Sequence, residues 1–194
     1  SQGGLQFDAP EVERAYYLKL LQGSAPRPED GFHTGAALAV LILDYETRVS
    51  AMELEQQKRF HSSFAQICRE VCRNQSAIRC IHVQQGEYAL LLDFSGISSV
   101  YERREKIQQY ASAVVRYAER YLAVSVCVGT SRAENFNPKA DECWQEAQEA
   151  RNERFYSAQT VLYGWQIEPC GKEIPSAAQR FSEEVPKYME KRDG

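Results

Sequence analysis

No apolar run in these 194 residues approaches the roughly 20 needed to cross a bilayer. The longest, residues 36–43, is only strand-sized. Positive charge is scarce too: 23 Lys and Arg face 27 Asp and Glu, for a net charge of -4. The longest basic cluster is Arg103-Arg104, and Glu102 and Glu105 flank it. A segment that grips nucleic acid through phosphates carries a basic excess or a basic face, so DNA or RNA binding by this segment itself is not expected. The polar opening Ser1-Gln2-Gly3-Gly4 has no signal-peptide pattern. It also has no initiating Met, from which we expect flanking domains outside this stretch.

What is present is the composition of a globular protein, 43% hydrophobic and 26% charged. A chain of this length hides roughly 70% of its unfolded surface, enough for a core without covalent staples. Cys68, Cys72, Cys80, Cys127, Cys143 and Cys170 mostly sit in apolar patterns. We read them as buried free thiols of a reducing compartment, and the chain as cytoplasmic.

Asp8-Ala9-Pro10-Glu11 opens a first helix as a capping box, with Val12, Ala15, Tyr16, Leu20 and Leu21 as its apolar stripe and Gly23 as its stop. Residues 24–35 hold Pro26, Pro28, Gly31 and Gly35 and read as a loop. Residues 37–43 are apolar without alternation, the pattern of a strand buried on both faces at the centre of a sheet. Ser50 to Glu53 is a second capping box, leading into a helix with Phe60, Phe64, Ile67, Cys68, Val71 and Cys72 on one face.

Residues 77–83 and 87–94 are strands separated by Gln84-Gln85-Gly86, and so predict an antiparallel hairpin. Ser99 caps a third helix whose stripe is Ile107, Tyr110, Ala111, Val114, Ala118, Tyr121 and Leu122. Residues 123–129 form a fourth strand. Asn137-Pro138 opens a helix with Ala140, Cys143, Trp144 and Ala147 facing inward. Residues 161–167 add an edge strand, and a last helical stretch over 172–191 is interrupted at Pro186.

The order predicts an α+β fold of the ferredoxin-like, nucleotide-cyclase-like kind. Its βαββαβ core is an antiparallel sheet with helices on one face and helical extensions at both ends. We divide the chain into an N-terminal helix and loop (1–35), the central domain (36–168) and a C-terminal helical linker (169–194).

The hairpin Gln84-Gln85-Gly86-Glu87-Tyr88-Ala89-Leu90-Leu91-Leu92 resembles the signature hairpin of GGDEF domains, the diguanylate cyclases, in which a Gly-Gly-Asp/Glu-Glu-Phe turn precedes a short apolar strand. Asp44 stands where that family has a metal-binding carboxylate at the end of the first strand. Val126-Cys127-Val128-Gly129-Thr130 resembles its last core strand, and Ala140-Asp141 with Ala147 its following helix. The resemblance covers roughly residues 36–168 in element order rather than identity.

Against that family pattern, Gln84 and Gln85 replace the glycines that let backbone approach substrate, and Gly86 replaces the third-position metal carboxylate. Of the implied carboxylates only Asp44 and Glu87 survive. Two-metal phosphoryl chemistry needs carboxylates to hold both ions, and the upstream inhibitory Arg-x-x-Asp motif is missing as well. The resemblance therefore implies a degenerate domain: no catalytic residues, no metal, no cofactor, and a vestigial cyclase site at Asp44, Gln84, Gln85, Gly86 and Glu87.

Degenerate domains of this kind are similar to the central region of bacterial AraC-type transcription regulators, especially two-component response regulators. Leu20-Leu21-Gln22-Gly23 resembles a helix end in that family, and residues 147–156 resemble the end of its last central helix. The implied partners are a receiver or sensor domain and a helix-turn-helix DNA-binding domain of the full-length protein, with a homodimer possible. The function implied is a non-catalytic signal-transmission module. Its alternatives are a nucleotide- or small-molecule-binding sensor, or a residual diguanylate cyclase.

Three further groups invite chemistry and have plainer readings. Cys68, Cys72, Cys80 and His82 could be drawn as a zinc site, but the first two continue an apolar stripe, so core packing accounts for them better. His82 is expected to face solvent or a polar neighbour. Tyr101, Tyr110, Tyr117 and Tyr121 form a tyrosine-rich helix face that could serve as a ligand or dimer surface, and it reads mainly as core with hydroxyls reaching water. Leu5, Phe7, Tyr16, Tyr17, Phe181 and Val185 are the better interface candidates.

Overall fold

The computed structural model describes residues 10–24, 34–73, 78–132, 136, 139–155 and 160–166. In chain order the elements are α1 (Pro10–Leu21), β1 (Gly35–Ile42), α2 (Tyr45–Arg48), α3 (Leu54–Val71), β2 (Ile78–Gln84), β3 (Glu87–Asp93), α4 (Val100–Leu122), β4 (Val126–Thr130), α5 (Ala140–Asn152) and β5 (Val161–Tyr163). The strands lie in the order β2-β3-β1-β4-β5. Pairing is antiparallel throughout the βαββαβ core, and β5 joins β4 in parallel, which makes the complete sheet mixed. The unbroken apolar run of β1 is explained by its place between β3 and β4, with both faces covered.

Alternation along the strands separates two layers of core. Ala36, Leu38, Val40 and Ile42 of β1 join Tyr88, Leu90 and Leu92 of β3 against Phe60, Phe64 and Cys68 of α3 and Ile107 and Val114 of α4. The opposite phase, Ala37, Ala39, Ala89 and Leu91, meets Tyr17, Leu20 and Leu21 of α1 and Cys143, Trp144 and Ala147 of α5. The core helices α3 and α4 thus share one face, as expected. The other face is covered as well, by α1 and α5, where the sequence reading foresaw helices on one face. Alanines on that side let the helices come close, and Gly129 of β4 takes this furthest. A Cβ on Gly129 would stand 2.1 Å from the Ala147 carbonyl oxygen and 2.3 Å from the Arg151 nitrogen. Only glycine permits α5 to lie directly on β4 there.

Local signals met different fates. Ser99 caps α4, its side chain accepting from the Glu102 N–H at 3.3 Å, and Gly23 takes φ +77 after α1. The box at Ser50–Glu53 is not used. Helix α3 starts at Leu54 with no side-chain cap, and Gln57 ties down the preceding turn by donating to the Ser50 and Met52 carbonyls. The stripe of α1 is rotated from the expected one: Tyr17 is buried and Val12 is exposed. Tyr121, expected inside, is 62% exposed. On α4 only Tyr110 of the four tyrosines is buried, where α4 meets the sheet. The capping box at Asp8, most of the loop over 24–35, Asn137-Pro138, Cys170, Leu5, Phe7, Phe181, Val185 and the stretch 172–191 lie outside the described residues. The other five cysteines are free thiols. No helix among the described residues is long and apolar enough to cross a membrane.

Candidate functional site

Strand register brings the family-like positions to one end of the sheet. Leu41 pairs with Glu87, and the Ile42 N–H donates to the Gly86 carbonyl at 2.8 Å. Asp44, two residues past β1, therefore stands beside the turn between β2 and β3. Gln85 and Gly86 make that turn, with Gly86 at φ +72. The structure thus gathers Asp44, Gln84, Gln85, Gly86 and Glu87 as the resemblance implies.

The side chains of Asp44, Gln84 and Glu87 are committed to structure. Asp44 accepts from the Ser125 N–H through Oδ1 at 3.1 Å, tying the end of β1 to the entry of β4, and its Oδ2 lies 3.6 Å from Arg48 Nε. Glu87 is 3% exposed and faces the α5 side of the sheet. Its Oε1 meets Arg151 Nη1 at 2.6 Å, and its Oε2 accepts from Gln84 Nε2 at 2.6 Å. Both carboxylate oxygens are thereby occupied in a charge-assisted network beneath α5. Gln84 does more than crowd the glycine position, because it completes the coordination of Glu87. Tyr45 packs where a third-position side chain would begin: a Cβ on Gly86 would sit 3.0 Å from its Cβ and Cγ.

These residues do not fit a divalent metal of the cyclase kind. The third-position ligand is missing and its space is taken by Tyr45. Glu87 is held by Arg151, and Asp44 spends one oxygen on backbone. Among the described residues no group of three or more His, Cys, Asp or Glu side chains could hold a metal ion.

Arg151 is the residue that sequence reasoning missed. It is buried on the last turn of α5, and nothing in the local pattern announces a partner 64 positions away. A second unforeseen cluster lies across the sheet, against α3. The Tyr88 hydroxyl bonds His61 Nδ1, Tyr45 OH lies 3.5 Å from His61 Nε2, and His82 stacks beside both rings. His82 is half-buried against the His61 and Tyr88 rings, so of its two expected settings it takes the polar neighbour. Burial lowers the pKa of His61; burial, His61 and Arg14 lower that of His82. Cys68, Cys72 and Cys80 do come together, as core. A hydrogen bond with Cys80, together with burial, pushes the Cys68 thiol up, and burial raises Cys72 to about 12.

No family model matches the chain, and no curated protein matches it. Solved structures do. An EAL/GGDEF domain protein from M. capsulatus superposes with TM-score 0.51 at 12% identity, covering 79% of this chain and 97% of that one. The active GGEEF domain of a diguanylate cyclase from Vibrio cholerae gives 0.52 at 12% identity, covering 79% and 92%. The S helix-GGDEF-EAL portion of Vibrio cholerae LapD, bound to c-di-GMP, gives 0.52 at 9% identity, covering 92% of this chain and 40% of that one. Identities this low speak to architecture alone. With the strand order, the two crossover helices and the turn beside Asp44, they give the chain a GGDEF-like fold.

Proposed function

We infer that this chain is a non-catalytic GGDEF-like module that transmits a signal within a larger protein. The observation that carries the reading is the fate of Glu87. The one carboxylate surviving in the turn is buried against Arg151 and Gln84, so it is unavailable to a metal or to GTP. Phosphoryl transfer on two metals requires carboxylates that face the substrate and neutralise developing charge. The aromatic ring of Tyr45 against Gly86 removes the space from which a third-position ligand would act. The resemblance of residues 20–23 and 147–156 to AraC-type regulators supports a place between a receiver or sensor domain and a helix-turn-helix output in a bacterial two-component system. Packing of α1 on α5 and β2 offers a path by which an upstream domain could shift the sheet.

The test is incubation of the purified chain with GTP and Mg²⁺ or Mn²⁺, alongside calorimetric titration with GTP. Neither product nor binding is expected at millimolar nucleotide. Cyclic dinucleotide formation abolished by Asp44→Ala would overturn the reading in favour of a residual cyclase. GTP binding without turnover would move it to a nucleotide sensor. A gene encoding neither a receiver nor a helix-turn-helix beside this segment would sink the AraC assignment.

A further inference from the structure

In a chain of net charge -4, three arginines from three separate elements converge on one place. Arg14 of α1, Arg69 of α3 and Arg79 of β2 line an open cleft of about 440 Å³ along β2, the edge strand of the described sheet, with Glu13, Cys80, Ile81 and His82. Its volume lies in the roughly 300–1,000 Å³ range of small-molecule sites. One carboxylate against three guanidinium groups leaves the concave surface locally cationic.

The donors are held in place. Arg14 Nε donates to the His82 carbonyl at 2.6 Å and its Nη2 to the Val83 carbonyl at 3.0 Å. Those bonds fix the plane of the fork and shield an exposed strand edge, while its other N–H groups remain for a ligand. Arg79 Nε lies 3.4 Å from Glu13 Oε1, so its orientation is set from α1. Arg69, on the last turn of α3, makes no hydrogen bond or ion pair among the described residues. His82 is clamped against His61 and Tyr88, with ring centroids 4.6 and 5.1 Å away, and its buried Nε2 has no hydrogen-bond partner.

Planar guanidinium forks match oxyanions, and donors approaching from three elements suit an acceptor with several oxygens rather than the two of a carboxylate. Cys80, half-buried at the same edge, adds an apolar contact to the lining. We propose that the Arg14, Arg69 and Arg79 cleft on the β2 edge binds a small phosphorylated molecule, at a site separate from the turn beside Asp44. The site does not depend on the signalling role assigned to the fold.

Calorimetric titration of the 194-residue chain with ribose 5-phosphate and, separately, with inorganic phosphate tests this, with the His82 imidazole NMR signals as local reporter. Saturable binding of the sugar phosphate near a Kd of about 1 mM is expected, with His82 signals shifting along the same isotherm. Arg69→Ala, at an exposed position, should weaken binding about tenfold with an unchanged melting temperature. Glu13→Gln should tighten it, while Asp44→Ala and Arg116→Ala should leave it unchanged. Equal affinity for inorganic phosphate would support the site and assign it to the free anion. Absence of heat and of His82 shifts with both probes at about 10 mM would overturn the proposal. So would binding indifferent to Arg69→Ala, or binding lost with Asp44→Ala.

Discussion

Replacing Arg151 by Ala strips the guanidinium from a carboxylate that the fold keeps 3% exposed. Removing one partner of a buried pair typically costs about 3–5 kcal/mol, since the remaining charge is stranded away from water. Here Oε2 of Glu87 keeps its 2.6 Å bond from Gln84 Nε2, so the lower end applies, about 3 kcal/mol. For a chain of this size that corresponds to a melting temperature roughly 6–12 °C lower. Urea unfolding followed by circular dichroism measures the free energy directly, with the slope checked for constancy. The double variant Glu87→Leu with Arg151→Met removes both charges and should recover most of the loss. A site carboxylate kept for catalysis behaves otherwise, because its removal leaves stability unchanged or improved. An Arg151→Ala loss below about 1 kcal/mol, the size of an exposed ion pair, would refute the structural role given to Glu87.

Three further outcomes follow from the same geometry. Gly86→Glu, which places a carboxylate where GGDEF domains carry one in the turn, should destabilise by about 1–3 kcal/mol through φ +72 and the contact with Tyr45; an unchanged denaturation midpoint would contradict this. Ala123 ends α4 in the left-handed region at φ 53, so Ala123→Gly should stabilise by about 0.5–1 kcal/mol, read as a higher denaturation midpoint. His61 and His82 both have folded pKa values below the usual 6.5, so the unfolded chain takes up protons first. Their share of stability is fully present above that value and is lost as pH falls through the lowered folded values. His82→Gln should flatten the decline in urea midpoint on acidification below 6.5, and an undiminished slope would count against it.

The element order was legible because each signal was local. The unbroken apolar run of β1, the three-residue gap before β3, Ser99 as a cap and the inward face of α5 all depend on neighbours within a turn or two. A strand buried on both faces must be apolar throughout, and a short gap between strands forces a hairpin. The failures were local competitions that tertiary contacts decided. The box at Ser50–Glu53 lost to Gln57 and the turn beneath it, and the stripe of α1 was rotated by the sheet on which it packs.

The candidate turn was legible as a set of positions, since register places Asp44 beside Gly86, and a glycine where the resemblance implies a metal carboxylate is plain in the residues themselves. What became of Glu87 was not. Its partner Arg151 is reached only because Gly129 lets α5 lie on β4, and the cleft of Arg14, Arg69 and Arg79 exists only because α1, α3 and β2 meet at one edge. Electrostatics acts through space, so a carboxylate that reads as a catalytic remnant along the chain is, in the folded molecule, the buried half of an ion pair.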